Sequence, residues 1–140
     1  MKITYNKGIP KWAKSKIEES ITKGVEWITN KYPHIDFSEV SMNISMTRNR
    51  SLYYSADGSV AISVRSKLFL YNKKTVGLTT PPKGLLVGYV LGTTMGIIHE
   101  LTHYVQGIEK RPFSEVETTL NEIEYLKGTD KFWYDQLIST

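Results

Sequence analysis

The stretch of sequence that decides the fold is Ile97-Ile98-His99-Glu100-Leu101-Thr102-His103-Tyr104-Val105-Gln106. Residues 99–103 read H-E-x-x-H, and side chains four apart on a helix lie on one face, one turn above the other. The imidazoles of His99 and His103 can therefore reach one point, and neutral imidazole is a common ligand of Zn²⁺. Glu100 follows directly, beside that point, where a carboxylate could take a proton from water. The stretch predicts a zinc-binding helix.

The helix that carries the motif is predicted to be buried, because the residues before it form a strongly apolar run. We expect it to extend from about Gly84 to Gln106, with Gly107 as its stop. The residues expected on its core side are Met95, Ile98, Leu101 and Val105.

This apolar run is not expected to span a membrane. Thr93 and Thr94 interrupt it, and His99 ends it well short of the ~20 residues that a span requires. Glycine costs about 1 kcal/mol of helix propensity, so repeated glycines in a helix suggest a packing role. Close approach of a neighbouring element is therefore expected at Gly88, Gly92 and Gly96.

The N-terminal region predicts a short strand followed by a long surface helix. The strand covers residues 3–5, and Pro10 then suits the first turn of a helix that runs from Lys11 to about Tyr32. Trp12 and Trp27 are expected to rest against the body of the protein. The apolar positions repeat at helical spacing, at Ile17, Ile21, Val25 and Ile28.

The middle of the chain shows the period-two alternation of half-buried strands. The apolar positions are Met42, Ile44 and Met46; Leu52, Tyr54 and Ala56; and Val60, Ile62 and Val64. Asp57-Gly58 is typical of a tight hairpin turn, and residues 68–71 could extend the sheet. We therefore predict three or four antiparallel strands, followed by a loop over residues 72–82.

After the motif, a short loop leads to a second, acidic helix. Ser114 suits its N-cap, and Glu117 three residues later suits a capping-box partner. The helix is expected to end near Lys127, before Gly128, with a final short helix in the tail. Its predicted buried side contains Val116, Leu120 and Ile123.

A two-histidine zinc site needs a third protein ligand. The chain contains no cysteine, so this ligand must be His, Asp, Glu or Tyr. His34 lies beside Pro33 in a loop and is expected to face solvent. The short loop makes the acidic helix return antiparallel to the motif helix, and it offers as candidates Glu115, Glu117, Glu122 and Glu124.

The motif followed by a glutamate on the next helix resembles the gluzincin group of metallopeptidases. Several of those families carry E-x-x-A-D or E-x-x-A-N on the glutamate helix, and residues 115–119, Glu-Val-Glu-Thr-Thr, are similar. This register implies Glu115 as the third ligand, while a second register would use Glu117 with Asn121. The resemblance covers residues 96–125. The size and element order also look like minimal zincin domains of phages and bacteria.

The resemblance implies an α+β, minimal zincin-like domain with an N-terminal helix, a small antiparallel sheet, the motif helix and a glutamate-bearing helix. It implies one Zn²⁺ on His99, His103 and Glu115, with Glu100 as general base in peptide-bond hydrolysis. An extended peptide substrate would pair with the strand near residues 60–64. The suggested supporting groups are Thr119 or Asn121 for orienting the imidazoles, and Tyr104 or Tyr89 for the oxyanion.

Composition limits the alternatives. The 140 residues, 40% of them hydrophobic, fit a single domain over residues 1–140. The net charge of +4 comes from scattered lysines and arginines and is typical of a solvated surface; no nucleic-acid-binding motif accompanies it, so nucleic acid is not expected as a partner. The N-terminus lacks the apolar core of a signal peptide, so a cytoplasmic location is expected. The alternative function is a non-catalytic zinc-binding module that engages a protein or nucleic acid.

Overall fold

A computed structural model describes residues 1–5, 9, 11–47, 52–54, 59–65 and 83–139. The elements in chain order are β1 (Lys2–Tyr5), α1 (Lys11–Lys31), β2 (Ser41–Thr47), β3 (Leu52–Tyr54), β4 (Ser59–Arg65), α2 (Lys83–Ile108), α3 (Glu115–Thr129) and α4 (Lys131–Ile138). Helices and a small sheet together confirm the broad α+β class, whereas the single-domain interpretation stays a prediction. The predictions for Pro10, Ala56, the Asp57-Gly58 turn and residues 66–82 lie outside the described residues.

The sheet is mixed, with strand order β1-β2-β4-β3. Strand β2 pairs in parallel with both β1 and β4, and only β3 and β4 pair antiparallel. The predicted antiparallel sheet is therefore wrong. The physical reason is that α1 connects β1 to β2, and a helical crossover returns the chain so that the second strand runs in the same direction. In addition, β4 inserts between β2 and β3.

The alternation predicted for β2 is confirmed where side chains are described. Met42 and Ile44 are fully buried, and Asn43 between them is exposed. Strand β4 is paired on both sides, by β2 and β3, so the prediction that a peptide substrate pairs with residues 60–64 is wrong. Among the described strands, the edge that lies against α2 is β3.

Helix α1 covers the core with the predicted face. Ile17, Ile21 and Ile28 are buried, and Trp12, Val25 and Trp27 are partly buried and pack against the core. Ser20 of α1 contacts Val90 of α2, and the later residue Gly24 lies against the later residue Ile97. The two helices therefore run in the same direction.

Helix α2 presents the predicted core face. Ile98, Leu101 and Val105 are fully buried, and Met95 packs against them at the margin of the core. The close approach predicted at its glycines is wrong for Gly88, which is exposed with open space around it. The tight contact involves a glycine of the neighbouring helix, Gly24. No helix in the described part of the chain is long and apolar enough to cross a membrane.

The C-terminus of α2 lies beyond the predicted stop at Gly107. The helix continues to Ile108, and Lys110 adopts the left-handed conformation with φ 56°. The Arg111 N–H donates to the Gln106 carbonyl at 2.9 Å, and the Lys110 N–H donates to the Gly107 carbonyl at 3.1 Å. These two bonds form a Schellman motif with lysine at the position that glycine usually occupies.

Helix α3 buries a different face from the predicted one. Val116 and Leu120 are 69% and 59% exposed, so their prediction as core residues is wrong. The buried positions are Thr118, Asn121, Tyr125 and Leu126. Polar groups on this face form hydrogen bonds with α2 and Tyr32, which the apolar spacing alone does not indicate. The helix ends at Thr129, and the predicted final helix follows as α4.

Candidate metal centre

The two histidines of the motif lie one helical turn apart on α2, as their spacing predicts. Their ring centroids are 5.1 Å apart and their planes make an angle of 78°. The side chain of His103 is 8% exposed, and that of His99 is 22% exposed. Both rings therefore lie at the margin of the core, with the more accessible one at the earlier position.

Glu115, the first residue of α3, contacts both rings through its carboxylate. Its Oε2 lies 3.0 Å from His99 Nε2, and its Oε1 lies 2.8 Å from His103 Nε2. One potential ligand atom from each of the three residues lies within 4.8 Å of the other two, so the group could hold a metal ion. The Glu115 side chain is 71% exposed, which opens this side of the cluster to solvent.

Glu115 reaches the histidines because α2 and α3 run antiparallel, as the short loop predicts. Contacts near the loop join Gln106 to Ser114, and contacts further along join Thr102 to Asn121. Asn121 Nδ2 donates to Thr102 Oγ1 at 3.0 Å and to the Tyr32 hydroxyl at 2.9 Å. This buried amide therefore ties α3 to the motif helix and to the segment after α1.

The Nδ1 atom of each imidazole, which faces away from Glu115, has its own hydrogen-bond partner. His99 Nδ1 lies 3.1 Å from Glu122 Oε2, and His103 Nδ1 lies 3.0 Å from Gln106 Oε1. Hydrogen bonds of this kind orient metal-binding imidazoles. Thr119 is exposed and Asn121 binds Thr102, so the orienting roles suggested for them do not match the contacts seen.

A sequence signal for Glu122 was available. It lies seven residues after Glu115, two turns along the same face of α3, so both carboxylates face the motif helix. Gln106 lies three residues after His103, also on one helix face. Its role depends on the loop that follows α2, and helical spacing alone does not show the path of that loop.

The other acidic candidates bind elsewhere. Glu117 accepts from Arg111, from Gln106 at 2.8 Å and from Tyr32 at 2.9 Å. Burial raises the pKa of Glu117, but these hydrogen bonds outweigh it, and the net pKa lies below its usual value. Ser114 is the N-cap but makes no side-chain cap bond, so the predicted capping box is wrong.

Glu124 and His34 lie at the surface. Glu124 pairs with Lys31 at 2.7 Å, and His34 pairs with Glu109 at 3.2 Å, with more than half of its side chain exposed. The expected solvent position of His34 is confirmed. Of the acidic candidates, Glu115 is the one that the structure brings to both motif histidines.

The pKa values of Glu100 and His99 are both raised, by burial and by a neighbouring carboxylate respectively. Glu100 is 7% exposed, and its burial raises its pKa, against the opposing effect of His99 and His103. The pKa of His99 is raised, chiefly by its hydrogen bond to Glu122, although burial opposes the shift. A buried carboxylate with a raised pKa beside such a cluster is suited to general-base work.

One aromatic ring contacts the cluster in the described part of the chain, and the two tyrosines suggested as oxyanion donors have contacts elsewhere. The Phe113 ring lies against the His103 ring, with centroids 5.0 Å apart, and is largely exposed. The Tyr104 hydroxyl donates to the Asp36 carbonyl at 3.2 Å, and the Tyr89 ring packs edge-on against Trp12. The oxyanion role suggested for these tyrosines stays a prediction.

Comparison with known proteins adds no relative. No protein-family model, no curated protein and no solved structure matches the chain. The chemistry of this site is therefore inferred from its own residues and their geometry.

Proposed function

We propose that the protein is a zinc-dependent metallopeptidase of the H-E-x-x-H type, with a minimal zincin-like fold. One Zn²⁺ would be held by His99, His103 and Glu115. The observation that carries the proposal is that the Nε2 atoms of both rings face one carboxylate, while both Nδ1 atoms are bound elsewhere. Two imidazoles and one carboxylate form a ligand set of catalytic zinc sites, in which the fourth position stays open.

The proposed reaction is hydrolysis of a peptide bond. When bound, zinc lowers the pKa of water towards neutrality and polarises a carbonyl. Glu100 would take the proton from the attacking water and deliver it to the nitrogen of the leaving amine. Its burial beside His99 supports this role, because the raised pKa brings the carboxylate closer to neutral pH. Glu122 would hold the His99 ring in its orientation throughout.

An extended substrate would approach the cluster from its exposed side. Glu115 is open to solvent, and β3, which is an edge of the sheet among the described strands, contacts α2. A peptide could add to this edge through main-chain hydrogen bonds. In this proposal β3 takes the place that the sequence suggested for β4.

The proposal is tested with the wild type, Glu100→Gln and a control, Glu124→Gln. We expect all three proteins to bind one zinc ion per chain, measured by elemental analysis. Wild type and the control should cleave unfolded casein, whereas Glu100→Gln should be slower by about 10²–10⁴-fold. The control alters a carboxylate that pairs with Lys31 at the surface. Failure of the wild type to retain zinc would refute the proposal.

A non-catalytic zinc-binding module is the second candidate. The exposed apolar residues Val116 and Leu120, on the helix that supplies Glu115, favour a protein over a nucleic acid as its partner. Zinc bound by all three proteins, with no cleavage of any peptide tested, would support this candidate over the enzyme.

A further inference from the structure

Gln106 is a fully buried amide that makes hydrogen bonds in three directions. Its Oε1 lies 3.0 Å from His103 Nδ1 and accepts from the Ser114 N–H at 3.1 Å. Its Nε2 donates to the Ser114 carbonyl at 3.1 Å and to Glu117 Oε1 at 2.8 Å. The side chain therefore uses both of its donors and both of its acceptor positions.

The orientation of this amide is fixed by its backbone partner. The Ser114 N–H can only donate and the Ser114 carbonyl can only accept, so the oxygen and nitrogen of Gln106 cannot exchange places. The oxygen consequently faces His103 Nδ1. Because an amide oxygen only accepts, Nδ1 must carry a proton, and a neutral His103 ring then has its lone pair on Nε2. That is the nitrogen that faces the Glu115 carboxylate. The carboxylate is also an acceptor, so without metal it competes with Gln106 for the ring proton, and a cation held between Nε2 and Glu115 would remove this competition.

We propose that Gln106 is a positioning residue that sets the tautomer of His103 and joins this histidine to the helix that supplies Glu115. The role rests on the proposed metal site. Ser114 directly precedes Glu115, so the two bonds from Gln106 to the Ser114 backbone also fix the start of α3. The Gln106 amide thus fixes the relative positions of His103 on α2 and Glu115 on α3.

An amide suits this position better than a carboxylate does. Glu117 Oε1 lies 2.8 Å from Gln106 Nε2, so a carboxylate at 106 would place two negative groups together in a buried region. Arg111 binds Glu117 on its other side, at 3.0 Å and 3.2 Å. A series of hydrogen bonds therefore runs from His103 through Gln106 and Glu117 to Arg111, and each bond joins a donor to an acceptor.

The first test uses Glu115→Ala, which removes the carboxylate that faces His103 Nε2 and leaves the Gln106 oxygen at Nδ1. Long-range ¹H–¹⁵N correlation spectra of this variant without zinc, at a pH where the spectra themselves show a neutral His103 ring, report the tautomer of that ring. We expect the Nδ1–H tautomer for His103. The Nε2–H tautomer would overturn the proposal, whether or not the protein binds zinc or cleaves peptides. This measurement therefore separates the role of Gln106 from the proposed function.

The second test uses Gln106→Met and the exchanged pair Gln106→Glu with Glu117→Gln. The methionine variant removes the acceptor at Nδ1, so it should raise the Nε2–H share of His103 relative to the wild type and weaken zinc binding by about 10–100-fold. The exchanged pair keeps an acceptor towards His103 and reverses the bond between 106 and 117, but it loses the bond to the Ser114 carbonyl. It should therefore return the Nδ1–H share towards the wild-type value and recover the zinc affinity only in part. A folded Gln106→Met protein with wild-type tautomer and zinc affinity would contradict the proposal.

Discussion

Gly24 of α1 lies so close to Ile97 of α2 that a Cβ atom on Gly24 would come within 2.9 Å of Ile97 Cγ2. Ile97 is fully buried and precedes His99 by two residues. Helices α1 and α2 therefore approach each other closely next to the metal-binding motif. A side chain at position 24 would have to displace Ile97 or the helix that carries it.

The first prediction concerns this contact. Gly24→Ala should lower the free energy of unfolding by about 1–3 kcal/mol, because overpacking forces a shift in a filled core. The matched control is Gly88→Ala in α2, where a Cβ meets open space, and it should raise stability by up to about 1 kcal/mol. Urea denaturation measures both. Equal stabilisation by the two substitutions would show that α1 can move away at no cost.

The second prediction concerns the end of α2. Lys110 has φ 56°, a conformation that costs a residue with a side chain about 1–2 kcal/mol relative to glycine. Lys110→Gly should therefore raise the free energy of unfolding by about 0.5–1 kcal/mol, after allowing for the greater freedom of glycine in the unfolded chain. Lys127→Gly within α3 is the control and should lower it by about 1 kcal/mol. Loss of stability in Lys110→Gly would contradict the Schellman geometry.

The third prediction concerns the carboxylate behind His99. Glu122→Ala removes the hydrogen bond to His99 Nδ1 and should weaken zinc binding by about 10–100-fold. Glu124→Ala, on the outer side of the same helix, should bind zinc as the wild type does. Competition with a chromogenic chelator gives both dissociation constants. Equal affinities would mean that the His99 ring is held by its packing alone.

The fourth prediction is a pH dependence of opposite sign with and without metal. The pKa of His99 lies above its usual value of 6.5 in the metal-free protein, chiefly because of Glu122. A raised histidine pKa stabilises the folded state below the unfolded pKa, and this stabilisation is lost as pH rises through the folded pKa. Zinc instead requires the unprotonated ring, so zinc affinity should rise with pH over the same interval.

Thermal unfolding of the metal-free protein and zinc titrations between about pH 5.5 and 8.5 measure the two effects. Glu122→Ala should move both profiles to lower pH, because it removes the main cause of the raised pKa. A zinc affinity that does not change with pH would show that His99 binds no metal.

Local chemistry in the motif could be predicted from the sequence. The positions of His99 and His103 follow from helical spacing alone, and the antiparallel return of α3 follows from a short loop. The resemblance to gluzincins implied Glu115, and Glu115 contacts both rings. These predictions concern residues that are close in sequence, and helical geometry fixes the positions of such residues relative to one another.

The direction of the strands could not be predicted in the same way. Alternation of Met42, Asn43 and Ile44 indicates a strand with one buried face, but it contains no information on which strand lies beside it. Pairing depends on the connections, and here α1 returns the chain so that β1 and β2 are parallel. The prediction assumed that consecutive strands form hairpins, which holds for β3 and β4.

The buried face of α3 was mispredicted for a related reason. The apolar residues Val116 and Leu120 share one face, and such spacing normally marks the core side of a helix. In the structure that face is exposed, and Thr118 and Asn121 are buried instead. The Asn121 amide donates hydrogen bonds to Thr102 and Tyr32, which offset the free-energy cost of burying it. The spacing of apolar residues gives no information about such hydrogen bonds.

The parallel pairing of β1 with β2 also affects how the chain folds. The partner of β1 lies beyond the 21 residues of α1, so the entropy of closing this loop must be overcome before the pairing contributes. The α2–α3 unit, in contrast, forms from residues that are near in sequence. During refolding, pulsed hydrogen exchange should therefore protect the amides of α2 and α3 before those of the N-terminal strand.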